Sequence, residues 1–136
     1  DVQARDKVLE GKGEAVLLVE DETVFLDLLK TILMNLGYQV LAAATPHEAI
    51  QIAENYEGEI QLMITDVIMP EMHGKDLAAI IRSLRPGVKL LFMSGYTANV
   101  IAHQGILEEG VNFIKKPFTM KDLSLKVAEV LGQPPQ

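Results

Sequence analysis

Short runs of consecutive apolar residues alternate along this chain with longer stretches in which apolar residues recur every three or four positions. The runs fall at 15–19, 38–44, 60–65, 88–93 and 111–115, and most are apolar at successive positions. That pattern marks strands buried on both faces. Between the first two runs, Val24, Phe25, Leu28, Leu29, Ile32, Leu33 and Leu36 share one helical face, and Gly37 stands where the helix must stop. Thr45, Pro46 and Glu48 form a helix start: a side-chain cap, a proline at the first helical position and a carboxylate able to reach back. Leu77, Ile80, Ile81 and Leu84 predict a third helix ahead of Pro86, and Val100, Ile101 and Leu107 a fourth ahead of Gly110. Thr119 caps a fifth, whose apolar face uses Leu123, Val127, Val130 and Leu131, with Gly132 beyond its end. Strands alternating with helices predict repeated βα units, hence an α/β fold with a doubly wound, five-stranded, mostly parallel sheet.

The two ends fall outside that alternation. Residues 1–14 mix charges with two glycines and read as a linker or disordered leader; 15–132 form one domain; 133–136 read as a disordered tail. At 136 residues and 49% hydrophobic content the chain has material for one continuous core and no room for a second domain. A net charge of -7 repels nucleic-acid phosphates and anionic membrane surfaces, so neither is an expected partner. Cysteine is absent, which removes disulfides, thiolate metal sites and thiol nucleophiles. With no apolar stretch long enough to span a bilayer and no apolar signal core, a soluble cytoplasmic domain is the expectation.

In a doubly wound sheet, functional groups gather beyond the carboxyl ends of the strands. By this reading the first strand ends in Glu20-Asp21, the third in Asp66, the fourth in Ser94, and the fifth in Lys115-Lys116 followed by Pro117. Carboxylates crowded into one crevice repel one another unless a cation sits among them, and an oxygen-lined cluster suits Mg2+. One carboxylate then stays available as a nucleophile, and Asp66 is that candidate. Phosphoryl transfer needs chiefly positioning and neutralisation of the peripheral oxygens, which a metal, the Lys116 ammonium and the Ser94 hydroxyl supply. Each feature taken alone has a plainer explanation: a turn-capping Asp, an acidic helix start, surface lysines, a loop Ser-Gly. Their joint placement at the strand ends of one sheet favours the chemical reading. His47, His73 and His103 lie in separate segments without ligand spacing, so none is a metal ligand or phosphodonor.

Glu20-Asp21, the segment from Asp66 through Met69-Pro70 to His73-Gly74, Ser94-Gly95 and Lys116-Pro117-Phe118 together resemble the signature of response-regulator receiver domains of two-component signalling. The resemblance runs from about Glu14 to Leu131. It implies a flavodoxin-like (βα)5 receiver fold with strand order 2-1-3-4-5. It implies Asp66 as phospho-acceptor and Mg2+ held by Asp21, Asp66, the Ile68 backbone carbonyl and, through water, Glu20. Lys116 and Ser94 would bind the phosphoryl group, Ser94 and Phe113 would switch conformation, and Pro70, Gly74 and Pro117 would shape the loops.

Departures from the commonest family pattern are Gly95 for Ala, His73 for Asp and Phe113 for Tyr; none removes an essential group. Ile68 and Tyr96 occupy positions that in the family influence acyl-phosphate lifetime. The implied partner is a histidine kinase or histidine phosphotransfer domain, with at most weak self-phosphorylation and autodephosphorylation by the domain itself. The phrasing around Gly37-Tyr38 and 110–114, with the leading linker, is most like the C-terminal receiver of a hybrid sensor histidine kinase; a stand-alone response regulator is the alternative, and an unphosphorylated docking module a third reading. The recipient, stimulus and oligomeric state are not written in the chain. An aspartate-nucleophile phosphatase would resemble Asp-x-Asp at the nucleophile, where Ile68 stands instead. A nucleotide carrier would need a Gly- or hydroxyl-rich first loop, where Glu20-Asp21-Glu22 stands.

Overall fold

A computed structural model describes residues 9–108 and 110–133. Five strands, β1 (Ala15–Val19), β2 (Gln39–Ala43), β3 (Leu62–Asp66), β4 (Lys89–Ser94) and β5 (Phe113–Lys115), alternate with five helices. The helices are α1 (Thr23–Asn35), α2 (Pro46–Asn55), α3 (Gly74–Leu84), α4 (Ala98–His103) and α5 (Met120–Leu131). All the strand pairings are parallel, and the order is β2-β1-β3-β4-β5. The chain therefore reverses its winding direction after β2, which opens a crevice above the carboxyl ends of β1 and β3.

Alternate strand residues feed two cores. Leu17, Val19, Met63, Leu90 and Phe92 pack with Ala49, Ala53, Leu77, Ile81 and Ile101 from α2, α3 and α4. On the opposite face, Val16, Leu18, Leu62, Ile64, Leu91 and Met93 pack with Leu26, Leu29, Leu33, Leu123, Val127 and Val130 from α1 and α5. Central strands sandwiched this way must be apolar at every position, which is the pattern that made them visible in the sequence. β2 departs from the expectation of burial on both faces: as an edge strand it leaves Gln39 exposed and buries only Ala43 fully.

Element boundaries shift for identifiable reasons. α1 ends with Gly37 at φ +98°; the Gly37 N–H donates to the Met34 carbonyl and the Tyr38 N–H to that of Leu33, a Schellman closure. Tyr38 is thus committed to the cap, and β2 begins one residue later than its apolar run. At the start of α2 the Thr45 hydroxyl accepts from the Glu48 N–H at 3.1 Å, while the Glu48 carboxylate reaches past the cap to accept from the Ala44 N–H at 2.9 Å. β5 is shorter than its run, and just ahead of it the Asn112 side-chain amide bonds the Leu90 carbonyl at 3.1 Å. α5 is opened by a full capping box between Thr119 and Asp122. β3 and β4 each extend one residue past the end of their apolar runs, so Asp66 and Ser94 are the last residues of their strands, as the sequence predicts.

Of the leader expected at 1–14, residues 1–8 lie outside the described residues, as does 134–136 of the tail. From residue 9 onward, Gly11 N–H donates to the Leu36 carbonyl, Gly13 N–H to that of Gly37, and Glu14 accepts from the Gln39 N–H.

Candidate functional site

β1 delivers Glu20 and Asp21 to the crevice, β3 delivers Asp66, β4 delivers Ser94, and Lys116 follows β5 directly. Together with Glu22, Ile68, Met93, Gly95 and Tyr96 they line a hollow of about 420 Å³. Backbone ties hold these positions: the Val67 N–H donates to the Met93 carbonyl, the Lys116 N–H to that of Ser94, and the Glu20 N–H to that of Ala43. The loop after Asp66 folds back tightly, with the Gly74 N–H donating to the Val67 carbonyl at 2.8 Å. A Cβ at Gly74 would meet the Asp66 carbonyl oxygen at 2.2 Å, so glycine is the residue this approach admits. Thr65, fully buried below, donates its hydroxyl to the Asp66 carbonyl at 3.1 Å. The Lys116–Pro117 peptide bond is cis.

The charges are arranged around one cation. Lys116 Nζ lies 2.7 Å from Glu20 Oε1 and 2.7 Å from Asp66 Oδ1. Glu20 is 1% exposed and Asp66 5%, both unusual for carboxylates. Withdrawal from water, reinforced by the neighbouring Glu20, pushes the Asp66 carboxyl up to about 8 against the opposing pull of Lys116. For Glu20 burial works the other way from its partners, and the hydrogen bonds with Asp66 and Lys116 win, holding it below the usual carboxylate range. Burial disfavours the Lys116 charge, but the bonds to Asp66 and Glu20 outweigh it and hold the ammonium above its ordinary value. Of the two buried carboxyls, Asp66 is therefore the one whose ionised form the fold disfavours and Glu20 the one whose ionised form it favours.

One ammonium does not neutralise three carboxylates. One carboxylate oxygen each from Glu20, Asp21 and Asp66 lies within 4.8 Å of the others. Asp66 Oδ2 is buried without a hydrogen-bond partner. A hard divalent cation preferring oxygen ligands and retained waters fits that donor set, and Asp21, which is exposed, leaves room for the waters.

Ser94 lines the same crevice; its Oγ accepts from the Tyr96 N–H at 3.0 Å. Ile68 and Tyr96 stand at the rim, 47% and 59% exposed. Phe113 lies apart from them, half-buried on β5, lining a hollow with Ala98, Ile101, Leu107 and Val111. Lys115 turns away, its Nζ donating to the Lys116 carbonyl at 3.3 Å. Pro70 is exposed in the loop between β3 and α3. One neighbour escaped the sequence reading: Phe25, placed there only as an apolar position of α1, puts its ring 4.7 Å from Lys116 Nζ. No local motif signals that contact.

Similarity to known proteins agrees with this geometry. The family model of the response regulator receiver domain matches residues 16–128. The sensor kinase CckA of Brucella abortus is 37% identical over 127 residues, covering 93% of this chain and 13% of that kinase. A transcriptional regulatory protein of Bacillus subtilis, YbdJ, is 30% identical over 120 residues, 88% of this chain and 52% of its own length. The chain thus spans about half or less of these relatives. The crystal structure of the receiver domain of hybrid histidine kinase CckA superposes with a TM-score of 0.72 at 37% identity, covering 86% of this chain and 98% of that one. The chemotaxis protein CheY4 of Vibrio cholerae does so at 0.76 and 25% identity, covering 87% and 98%. A sheet of order 2-1-3-4-5 with this crevice, matched along most of its length by receiver sequences, places the chain in the response regulator receiver domain family of two-component systems.

Proposed function

We propose that this domain accepts a phosphoryl group onto Asp66 from a phosphohistidine of a histidine kinase or histidine phosphotransfer domain. The observation that carries the reading is the buried carboxylate itself: Asp66 Oδ1 is held by Lys116 at 2.7 Å while Oδ2 is buried without a partner. In the transfer, an Asp66 carboxylate oxygen forms the new P–O bond as the P–N bond breaks, and the electron pair leaves on the imidazole nitrogen, which takes a proton. Lys116 and the Ser94 hydroxyl are placed to receive the phosphoryl oxygens. Asp21, Asp66 and the Ile68 backbone carbonyl would hold Mg2+, with Glu20 acting through water. When bound, Mg2+ would neutralise charge on the phosphoryl oxygens and favour the ionised form of Asp66. Release by water runs at the same carbon–oxygen–phosphorus linkage: water forms a P–O bond, the bond to Asp66 breaks, and the carboxylate and a proton are returned. Ile68 and Tyr96 at the rim bear on how readily that water enters, and an unchanged phosphate release rate in Ile68→Asn would remove this role for Ile68.

The added charge on Asp66 would draw Ser94 toward it and shift the population of Phe113 between positions, altering the surface of α4, β5 and α5. The likeness to CckA favours the receiver part of a hybrid histidine kinase, and the net charge of -7 favours a cytoplasmic domain without nucleic-acid or membrane contact of its own. A stand-alone response regulator is the alternative reading. Among the described residues no helix is long and apolar enough to cross a membrane.

The test is incubation with Mg2+ and acetyl phosphate, followed by intact mass of wild type and Asp66→Asn. One phosphoryl adduct on the wild type and none on the variant is expected. No adduct on a folded, Mg2+-binding wild type would leave a docking module as the better reading.

A further inference from the structure

The Lys116 ammonium has three N–H groups, and two are directed at carboxylates 2.7 Å away. Its remaining side is covered by the face of Phe25, whose centroid lies 4.7 Å from Nζ. Phe25 stands in the first turn of α1, close behind Glu20 and Asp21 in the chain. Its ring is supported in turn by Phe118, with centroids 6.0 Å apart and planes tilted by 58°. Phe118 follows Lys116 by only two residues, so the cation and one of its walls belong to the same segment. The Lys116 side chain is still 24% exposed, so it retains access to water despite these contacts.

We propose that Phe25 is a positioning residue for phosphoryl transfer at Asp66, acting through Lys116. This rests on the receiver reading above. During transfer the ammonium must exchange the Asp66 carboxylate for oxygens of the incoming phosphoryl group. A carboxylate hydrogen bond is directional and is weakened by that shift. The attraction of a cation to a ring face is broad, needs no acceptor atom, and persists while the ammonium moves across it. An aliphatic residue at this place would fill the same space against Phe118 yet offer Lys116 nothing once a carboxylate bond is released, and the flexible lysine stem would swing into solvent.

The experiment compares wild type, Phe25→Leu and Phe25→Tyr by two readouts. The first is the rate of adduct formation with acetyl phosphate and Mg2+, followed by intact mass. The second is the ε-methylene proton resonance of Lys116 in the metal-free, unphosphorylated protein, which a ring face displaces upfield of an exposed residue such as Lys115. The wild type and Phe25→Tyr should show that displacement and Phe25→Leu should lose it. Adduct formation should slow about 3- to 10-fold in Phe25→Leu and recover to near the wild-type rate in Phe25→Tyr. Phe25→Met replaces the leucine variant if the latter does not fold. An undisplaced Lys116 resonance in the wild type, equal rates in all three proteins, or a Tyr variant as slow as the Leu variant would each overturn the proposal. Equal rates with normal adduct formation overturn the role of Phe25 alone, whereas no adduct on any protein overturns the receiver chemistry and this role with it.

Discussion

At the amino end of the sheet, polar side chains bond neutral backbone groups and neutral amides. Arg85 donates from Nε to the Ala53 carbonyl at 2.9 Å and from its two terminal nitrogens to Tyr56 and Gly58, tying off the last turn of α2. Lys89 Nζ donates to the Leu131 carbonyl at 2.5 Å at the end of α5. Asn112 and Gln133 pair amide to amide, at 3.1 and 3.0 Å, and the Gln61 side chain accepts from the Ala15 N–H at 2.7 Å. At the carboxyl end one Lys116 is shared by two buried carboxylates, with a third nearby and one oxygen unpartnered. A cation that ends on carbonyls completes a helix and has no further need. A cation outnumbered by carboxylates leaves negative charge that only a ligand can balance. The first arrangement holds the fold together; the second holds the site ready at the expense of stability.

The comparison is tested most severely by Gly74→Ala, which pushes a methyl group against the Asp66 carbonyl. A loss of about 3 kcal/mol in urea unfolding is expected, together with slower adduct formation, because the same contact supports fold and nucleophile. Arg85→Met comes next: about 2 kcal/mol of stability should be lost through orphaned carbonyls, with the phosphorylation rate of the folded protein unchanged. A slowed rate would show that the two ends are coupled after all.

The pH dependence of the metal-free protein sharpens the contrast. The Asp66 carboxyl is raised from the ordinary carboxylate range to about 8 in the fold, so its contribution is fully present below about pH 4 and is lost as pH rises toward 8. Asp66→Asn removes that loss. Its advantage over wild type in chelator should therefore widen between about pH 5 and pH 8, by on the order of 2 kcal/mol. Mg2+ should narrow the gap by stabilising the wild type, more so at the upper end of the window. A gap that stays flat with pH would mean that Asp66 is ionised in the bare cluster. The smallest effect is expected of Asn112→Ala, about 1 kcal/mol from the lost amide pair, with no change in the rate of adduct formation.

Much of the carboxyl end was legible in the chain. Asp66 and Ser94 close apolar runs, Glu20 and Asp21 follow one, and Lys116 precedes a proline, so their convergence needed only the assumption of a parallel sheet. Almost none of the amino end was. Arg85 looked like a charge before a turn proline, and its partners Ala53, Tyr56 and Gly58 carry no side-chain signal because they contribute only carbonyls. Phe25 was hidden for a related reason: an apolar residue on an apolar helix face announces burial, not the lysine it will meet.

The sequence by itself determined the five strands, the principal helix starts and stops, and the set of residues proposed here for phosphoryl chemistry. Each of these follows from burial period, caps and residue type within a few positions of the chain. The tertiary structure alone decided that β2 is an exposed edge, that Lys116 bonds Glu20 at 96 residues' separation and Asp66 at 50, and that Phe25 backs the same ammonium. Contacts over such distances are selected by how helices and strands pack together, and packing leaves no periodic trace in the residues that happen to meet.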